Sequence, residues 1–190
     1  MAYELIAFDM DGTLLDSHKE VLRSSVDAIS EAVAAGKHVA IASGRCPRMV
    51  SMYRESIPGV RYAICCAGAI VFDLAANRVL SEVDIAPEVV ARAIHTADEE
   101  GDYVLEVTTG LGIAMERHGI EMAPQCGVGV YKQLYLDTSD IVEDAHAVAL
   151  DPTARIPKLN FHFVDAAARD RTFERLADAD VTITRCEVSS

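Results

Sequence analysis

Tyr3-Glu4-Leu5-Ile6-Ala7-Phe8-Asp9-Met10-Asp11-Gly12-Thr13 decides the fold. Its first part is a short apolar run ending in an acid, the character of a buried parallel strand. Its second part places two carboxylates, Asp9 and Asp11, where a strand gives way to a loop, with Asp16 and Ser17 close behind. Along extended backbone, residues two apart project to one side about 7 Å from each other. Asp9 and Asp11 are therefore expected at the carboxyl end of the first strand, where open α/β sheets place their ligands. Gly12 lets the backbone leave the strand sharply.

Working outward, Ser17-His18-Lys19-Glu20 fits a capping box opening a helix. Leu22, Val26, Ile29 and Val33 then recur on one helical face, and Gly36 stops it. His38–Ala42 reads as a second strand ending at Ser43-Gly44-Arg45. Pro47 suits the first turn of another helix, and residues 61–66 read as a third strand. Strand–helix–strand–helix–strand predicts a parallel sheet with right-handed crossovers. Ile70–Phe72 and Val79–Val83 read as a hairpin around Ala75–Arg78. Near Ala86-Pro87 the character changes. A helix over 87–100, strands near 103–108 and 112–117, an unpatterned stretch 118–157, a strand over 158–164, a helix over 166–177 and a strand over 181–187 predict a separate α+β domain. The predicted division is 1–83 and 84–190.

Ser43-Gly44-Arg45 ends the strand that follows the first in sequence, with a helix start behind it. A hydroxyl, backbone N–H groups and a positive helix end make a phosphate cradle. Two carboxylates beside such a cradle divide the labour of phosphoryl transfer. One attacks phosphorus, and the other exchanges a proton with the leaving group and with water. Their mutual repulsion with phosphate calls for a divalent cation, and hard oxygen ligands suit Mg²⁺.

Asp9-Met-Asp-Gly-Thr-Leu-Leu-Asp-Ser17 resembles the first motif of the haloacid dehalogenase (HAD) superfamily. Ile41-Ala-Ser-Gly-Arg45 resembles its second, in the form used by Cof-type phosphatases. The first motif alone arises by chance in roughly one chain of this length in several hundred, so the correctly placed second motif carries weight. The resemblance implies an α/β fold: a partial Rossmann-like parallel-sheet core with an inserted α+β cap domain. It implies Asp9 as nucleophile and Mg²⁺ ligand, and Asp11 as acid/base that also gives the metal its backbone carbonyl. Met10, Asp11, Ser43 and Gly44 would hold the phosphoryl group, and Arg45 would support the site or the substrate. The expected reaction is Mg²⁺-dependent hydrolysis of small phosphate monoesters, sugar phosphates first, through an aspartyl-phosphate. The alternatives are a phosphotransferase and a non-catalytic phosphate-ligand binding or regulatory module.

Two departures temper this. The family usually has Asn-Gly-Ala after the third strand, where this chain has Ala67-Gly68-Ala69. The later lysine and the acidic Gly-Asp-x-x-Asn-Asp motif find no counterpart before Ser190. Lys158 opens a predicted cap strand, and Asp178-Ala-Asp180 lacks the preceding glycine. The resemblance is thus to the N-terminal part of a Cof-type protein. Turnover is expected to be impaired, and the first strand to be an uncovered edge inviting self-association along residues 3–9.

Composition is that of an ordinary soluble globular protein. Of 190 residues, 51% are apolar and 25% charged, which supplies a core and argues against disorder. The longest nearly uncharged apolar run, Tyr62–Phe72, falls well short of the about 20 residues that cross a bilayer, and no secretory signal opens the chain. The 17 basic and 30 acidic residues give a net charge of −13. That field repels nucleic acid, so any anion site needs a local cation. The odd count of five cysteines, without a C-x-x-C pair, fits free thiols and a cytoplasmic location. Cys65-Cys66 reads as core packing, His18 as a surface residue, Asp98-Glu99-Glu100 as a solvated helix end, and Gly127-Val128-Gly129 as a turn.

Overall fold

A computed structural model describes residues 3–185 of the chain. Cys186 and the end of the predicted strand over 181–187 lie outside the described residues, and residues 181–185 form no strand. The chain divides into two compact units, Met1–Val83 and Asp84–Ser190.

Unit 1 is a five-stranded sheet of order β1-β2-β3-β4-β5. Its elements are β1 (Leu5–Phe8), α1 (Arg23–Ala34), β2 (His38–Ala42), α2 (Pro47–Ser51), β3 (Tyr62–Cys65), β4 (Ile70–Asp73) and β5 (Arg78–Glu82). β1, β2 and β3 run parallel, and β4 and β5 complete an antiparallel hairpin. The core gathers Ile41, Val50, Ala63, Cys65, Ile70, Phe72 and Leu74, all sealed from solvent. Phe8 pairs in register with Ile41, so the loops leaving β1 and β2 start side by side. β1 is an edge strand, and Leu5 is 57% exposed on it.

The predicted capping box does not form. α1 begins at Arg23 behind an extended Leu22 that offers no side-chain cap. The Asp16 carboxylate instead accepts the N–H groups of His18 and Glu20, so residues 16–20 make a turn. Of the four expected face residues only Ile29 is fully buried, and Leu22 is exposed.

Unit 2 holds α3 (Pro87–Glu100), β6 (Tyr103–Thr109), β7 (Gly112–Glu116), α4 (Arg117–Met122), α5 (Lys132–Thr138), β8 (Ser139–Val142), α6 (Ala145–Ala149), β9 (Lys158–Phe163) and α7 (Ala166–Arg175). Its sheet has the order β8-β7-β6-β9, with β8 parallel to β7 and the other pairs antiparallel. Leu105, Val107 and Ala114 form one core cluster with Val90 and Ile94 of α3 and Ala145 and Ala149 of α6. The stretch 118–157 is therefore structured, in elements too short to show a period. Asp98-Glu99-Glu100 is not merely solvated. Glu99 and Glu100 pair with Arg175, Glu100 also pairs with Arg171, and Asp98 accepts the Tyr103 hydroxyl. Gly127 lies in a turn, and Gly129 opens a single 3-10 turn. A Cβ on Gly129 would come within 2.9 Å of the Pro124 backbone, so only glycine fits there.

Strand alternation puts Val104, Glu106 and Thr108 on the face of β6 opposite Leu105 and Val107, beside His162, Asn160 and Lys158 of β9. Glu106 is buried and His162 nearly so, with Nε2 of the ring 3.5 Å from the carboxylate. Burial pushes the Glu106 carboxyl up. The His162 hydrogen bond, the Lys158 charge and Asn160 outweigh it, so the group lies below the ordinary glutamate value of 4.5. A depressed carboxyl stabilises the fold fully above its unfolded pKa, and that contribution is lost as pH falls through the folded one. Stability is therefore expected to decline below about pH 4.5. Glu106→Gln is expected to lose about 1.5–3 kcal/mol at neutral pH and to unfold with a shallower acid dependence. Acid titrations followed by circular dichroism check this; an unchanged acid midpoint and stability would refute the role given to Glu106.

Candidate active site

The candidate residues converge at the carboxyl ends of β1 and β2. β1 stops at Phe8, and a turn begins at Met10. The buried Met10 gives its carbonyl to the N–H groups of Thr13, Leu14 and Leu15. Gly12, at φ 75°, supports that turn in a region glycine adopts without steric cost. The Asp11 side chain is held there by its partners.

Those partners are two cations. Arg45 clamps Asp11 bidentately, Nε to Oδ2 and Nη2 to Oδ1, both at 2.8 Å. Lys19 Nζ approaches Oδ1 at 2.7 Å. Burial pushes the Asp11 carboxyl up, but the hydrogen bonds and charges of Arg45 and Lys19 prevail and hold it below the usual carboxylate range. Arg45 is itself buried, 7% exposed. Burial opposes its charge, and Asp11 more than restores it. Tyr53 finishes the arrangement, its hydroxyl 3.4 Å from Nη1 and its ring 5.5 Å from the guanidinium carbon.

Asp9 differs. Its side chain is exposed at the strand end, and no described residue forms a hydrogen bond or ion pair with its carboxylate. An available hard-oxygen donor of this kind fits Mg²⁺, which takes one or two carboxylates and keeps several waters. The Asp11 carboxylate, engaged by two cations, does not fit that use. Among the described residues, the one group of His, Cys, Asp and Glu whose ligand atoms lie within 4.8 Å of one another is Glu116, Asp144 and His146 in unit 2. Both carboxylates of this group already serve α6: Glu116 accepts the N–H of Ala145, and Asp144 accepts that of Ala147.

Ser43 is buried, and its hydroxyl accepts the Arg45 N–H at 3.2 Å. Gly44 beside it is exposed. α2 begins behind Cys46, which provides no side-chain cap, with Pro47 at its first position. The loop after β3 braces this segment, because the N–H of Cys66 bonds the Arg45 carbonyl and that of Ala67 bonds the Ser43 carbonyl. Holding these bonds requires consecutive left-handed residues, Cys66 at φ 53° and Ala67 at φ 55°. Each costs about 1–2 kcal/mol without a glycine or asparagine to absorb it. Ala67 stands where the resembled family usually has asparagine. Cys46, Cys65, Cys66 and Cys126 are buried thiols outside any disulfide. Burial, with Cys46 nearby, pushes the Cys65 thiol up to about 12, so it packs rather than reacts. His18 is exposed.

Sequence reasoning missed Lys19. It sought a cation far downstream, whereas this one lies eight residues after Asp11. The turn that returns it was hidden by the apparent capping box, and the visible signal was Asp16, a residue that builds turns with its own backbone.

Residues 6–186 match the model of the family described as haloacid dehalogenase-like hydrolase. YkrA of Bacillus subtilis (strain 168) is 31% identical over 145 residues, covering 74% of this chain and 53% of YkrA. The pyridoxal phosphate phosphatase YbhA of Escherichia coli (strain K12) is 36% identical over 91 residues, covering 48% of this chain and 33% of YbhA. Among solved structures, a haloacid dehalogenase-like hydrolase from B. subtilis superposes with a TM-score of 0.75 at 19% identity, over 93% of this chain and 67% of that one. The alignments span about half of YkrA and a third of YbhA. No described helix is long and apolar enough to cross a membrane. The α/β architecture, the two motifs and the match over nearly the whole sequence agree: the chain belongs to the haloacid dehalogenase-like hydrolase family.

Proposed function

We propose that the chain carries the phosphoryl-transfer site of a Mg²⁺-dependent phosphatase acting on small phosphate monoesters, with Asp9 as nucleophile. The observation that carries this reading is the contrast between the two acids of one loop: Asp9 exposed and unpaired by any described residue, Asp11 braced by Arg45 and Lys19. A nucleophile needs an available oxygen. An acid/base group needs fixed orientation.

Asp9 attacks phosphorus, and the bond to the ester oxygen breaks as an aspartyl-phosphate forms. Asp11 gives a proton to the departing oxygen. It then takes one from the water that attacks phosphorus and releases Asp9. As a carboxylate held by two cations, Asp11 suits the second half of this cycle, whereas the first half requires one cation to let go. Ser43 and the backbone N–H groups of Met10, Asp11 and Gly44 orient the phosphoryl oxygens. Asp9, with the Asp11 carbonyl, would hold Mg²⁺, which when bound offsets the repulsion between the carboxylates and phosphate. Unit 2, with its own core cluster, is read as the family's cap domain, the part that discriminates among substrates. Sugar phosphates and pyridoxal-type phosphates are the first esters to try, the latter because of what YbhA is named for.

The reading is tested by phosphate release from an aryl phosphate and from these esters. Release is expected with Mg²⁺ and is expected to stop when a chelator removes it. Release that ignores both Mg²⁺ and chelator, or no release from any ester at millimolar concentration, would count against it.

A further inference from the structure

Lys19 reaches Asp11 through an unusual backbone. The Asp16 carboxylate oxygen Oδ1 accepts the N–H groups of His18 at 2.8 Å and Glu20 at 3.0 Å. The Asp16 N–H bonds the Glu20 carbonyl, and the Lys19 N–H bonds the Asp16 carbonyl. Closing this turn puts Lys19 in the left-handed region at φ 63°, which costs a side-chain-bearing residue about 1–2 kcal/mol. Backbone held in this way concentrates at working sites. Here it delivers an ammonium to within 2.7 Å of Asp11 Oδ1.

Asp11 does not need that second cation for hydrogen bonding, because Arg45 already meets both carboxylate oxygens. Asp11, Arg45 and Lys19 together carry one net positive charge, within a chain of net charge −13. The two cations are not equivalent. Arg45 is 7% exposed and fixed against Tyr53. Lys19 is 38% exposed, and a lysine is a point charge on a flexible stem. The cation able to turn toward an arriving anion is Lys19.

We infer that Lys19 is an anion-binding residue of this site, which swings from Asp11 to the non-bridging oxygens of the substrate's phosphoryl group. The inference rests on the phosphatase reading above. It assigns the local cation that so acidic a chain needs in order to attract phosphate, and it names the cation that lets go of Asp11.

The test is calorimetric titration of inorganic phosphate, in the presence of Mg²⁺, into the unmodified chain, Lys19→Met and Lys19→Arg. Loss of one charge pair near the surface is expected to weaken phosphate binding about tenfold in Lys19→Met. Lys19→Arg is expected to restore it to within about threefold. In hydrolysis, KM of Lys19→Met is expected to rise more than kcat falls, a split that simple loss of folded protein does not produce. Equal phosphate affinity in Lys19→Met and the unmodified chain would overturn the inference and leave the phosphatase reading standing. No phosphate binding and no hydrolysis by the unmodified chain would overturn that reading, and the inference with it.

Discussion

Asp9→Asn is expected to lower phosphate release by at least about 10³-fold, the scale of loss when a covalent nucleophile is removed. Asparagine matches aspartate in size and retains a carbonyl oxygen, but it lacks the anionic oxygen that attacks phosphorus. The site makes the substitution clean. No described residue pairs with the Asp9 carboxylate, and the side chain is exposed. Nothing in the fold is left unsatisfied, so stability is expected to stay within about 0.5 kcal/mol of the parent. The thermal midpoint and the rate are to be measured on the same preparation, together with covalent capture of labelled phosphate. A folded Asp9→Asn protein that still hydrolyses at the parental rate would remove Asp9 from the role of nucleophile.

How far the sequence reveals this site depends on the range of the interactions involved. β2 and α3 have the predicted bounds, His38–Ala42 and Pro87–Glu100, because apolar runs and a Pro at the helix start are local signals. The junction after β1 is legible as a strand end, whereas the turn that follows it is not. That turn closes on the Met10 carbonyl, which gathers three N–H groups from residues 13–15. Ser17-x-x-Glu20 has the letters of a capping box, yet the Asp16 carboxylate takes the Glu20 N–H that Ser17 would accept, together with that of His18. The elements inside 118–157 escaped because helices of five to seven residues, α4, α5 and α6, present too few turns for periodicity. Glu106 was legible in principle, as an acid in an otherwise apolar strand. Its partners His162 and Lys158 lie on β9 and become neighbours only once the sheet is paired.

The chemistry of Arg45 leads to the second large effect. The guanidinium meets both oxygens of Asp11 in one plane, a geometry that lysine's single ammonium cannot reproduce. Arg45→Lys keeps the charge but frees Asp11 to rotate. If orientation of the acid/base is what Arg45 supplies, kcat is expected to fall about 10²-fold, with KM changed much less. Arg45→Ala removes charge and clamp together. It strands a partly buried carboxylate on Lys19 and opens space against Tyr53. The full cost of breaking a buried pair is about 3–5 kcal/mol, and because the Asp11 side chain is 29% exposed the expected loss is about 2–3 kcal/mol. Two independent readouts thus separate the roles, since the lysine variant tests orientation with the fold intact and the alanine variant tests the pair's part in stability. Parental kcat in Arg45→Lys would show that Asp11 needs no fork to hold it. A rise in KM alone, with kcat unchanged, would move Arg45 from positioning the acid/base to binding the phosphate itself.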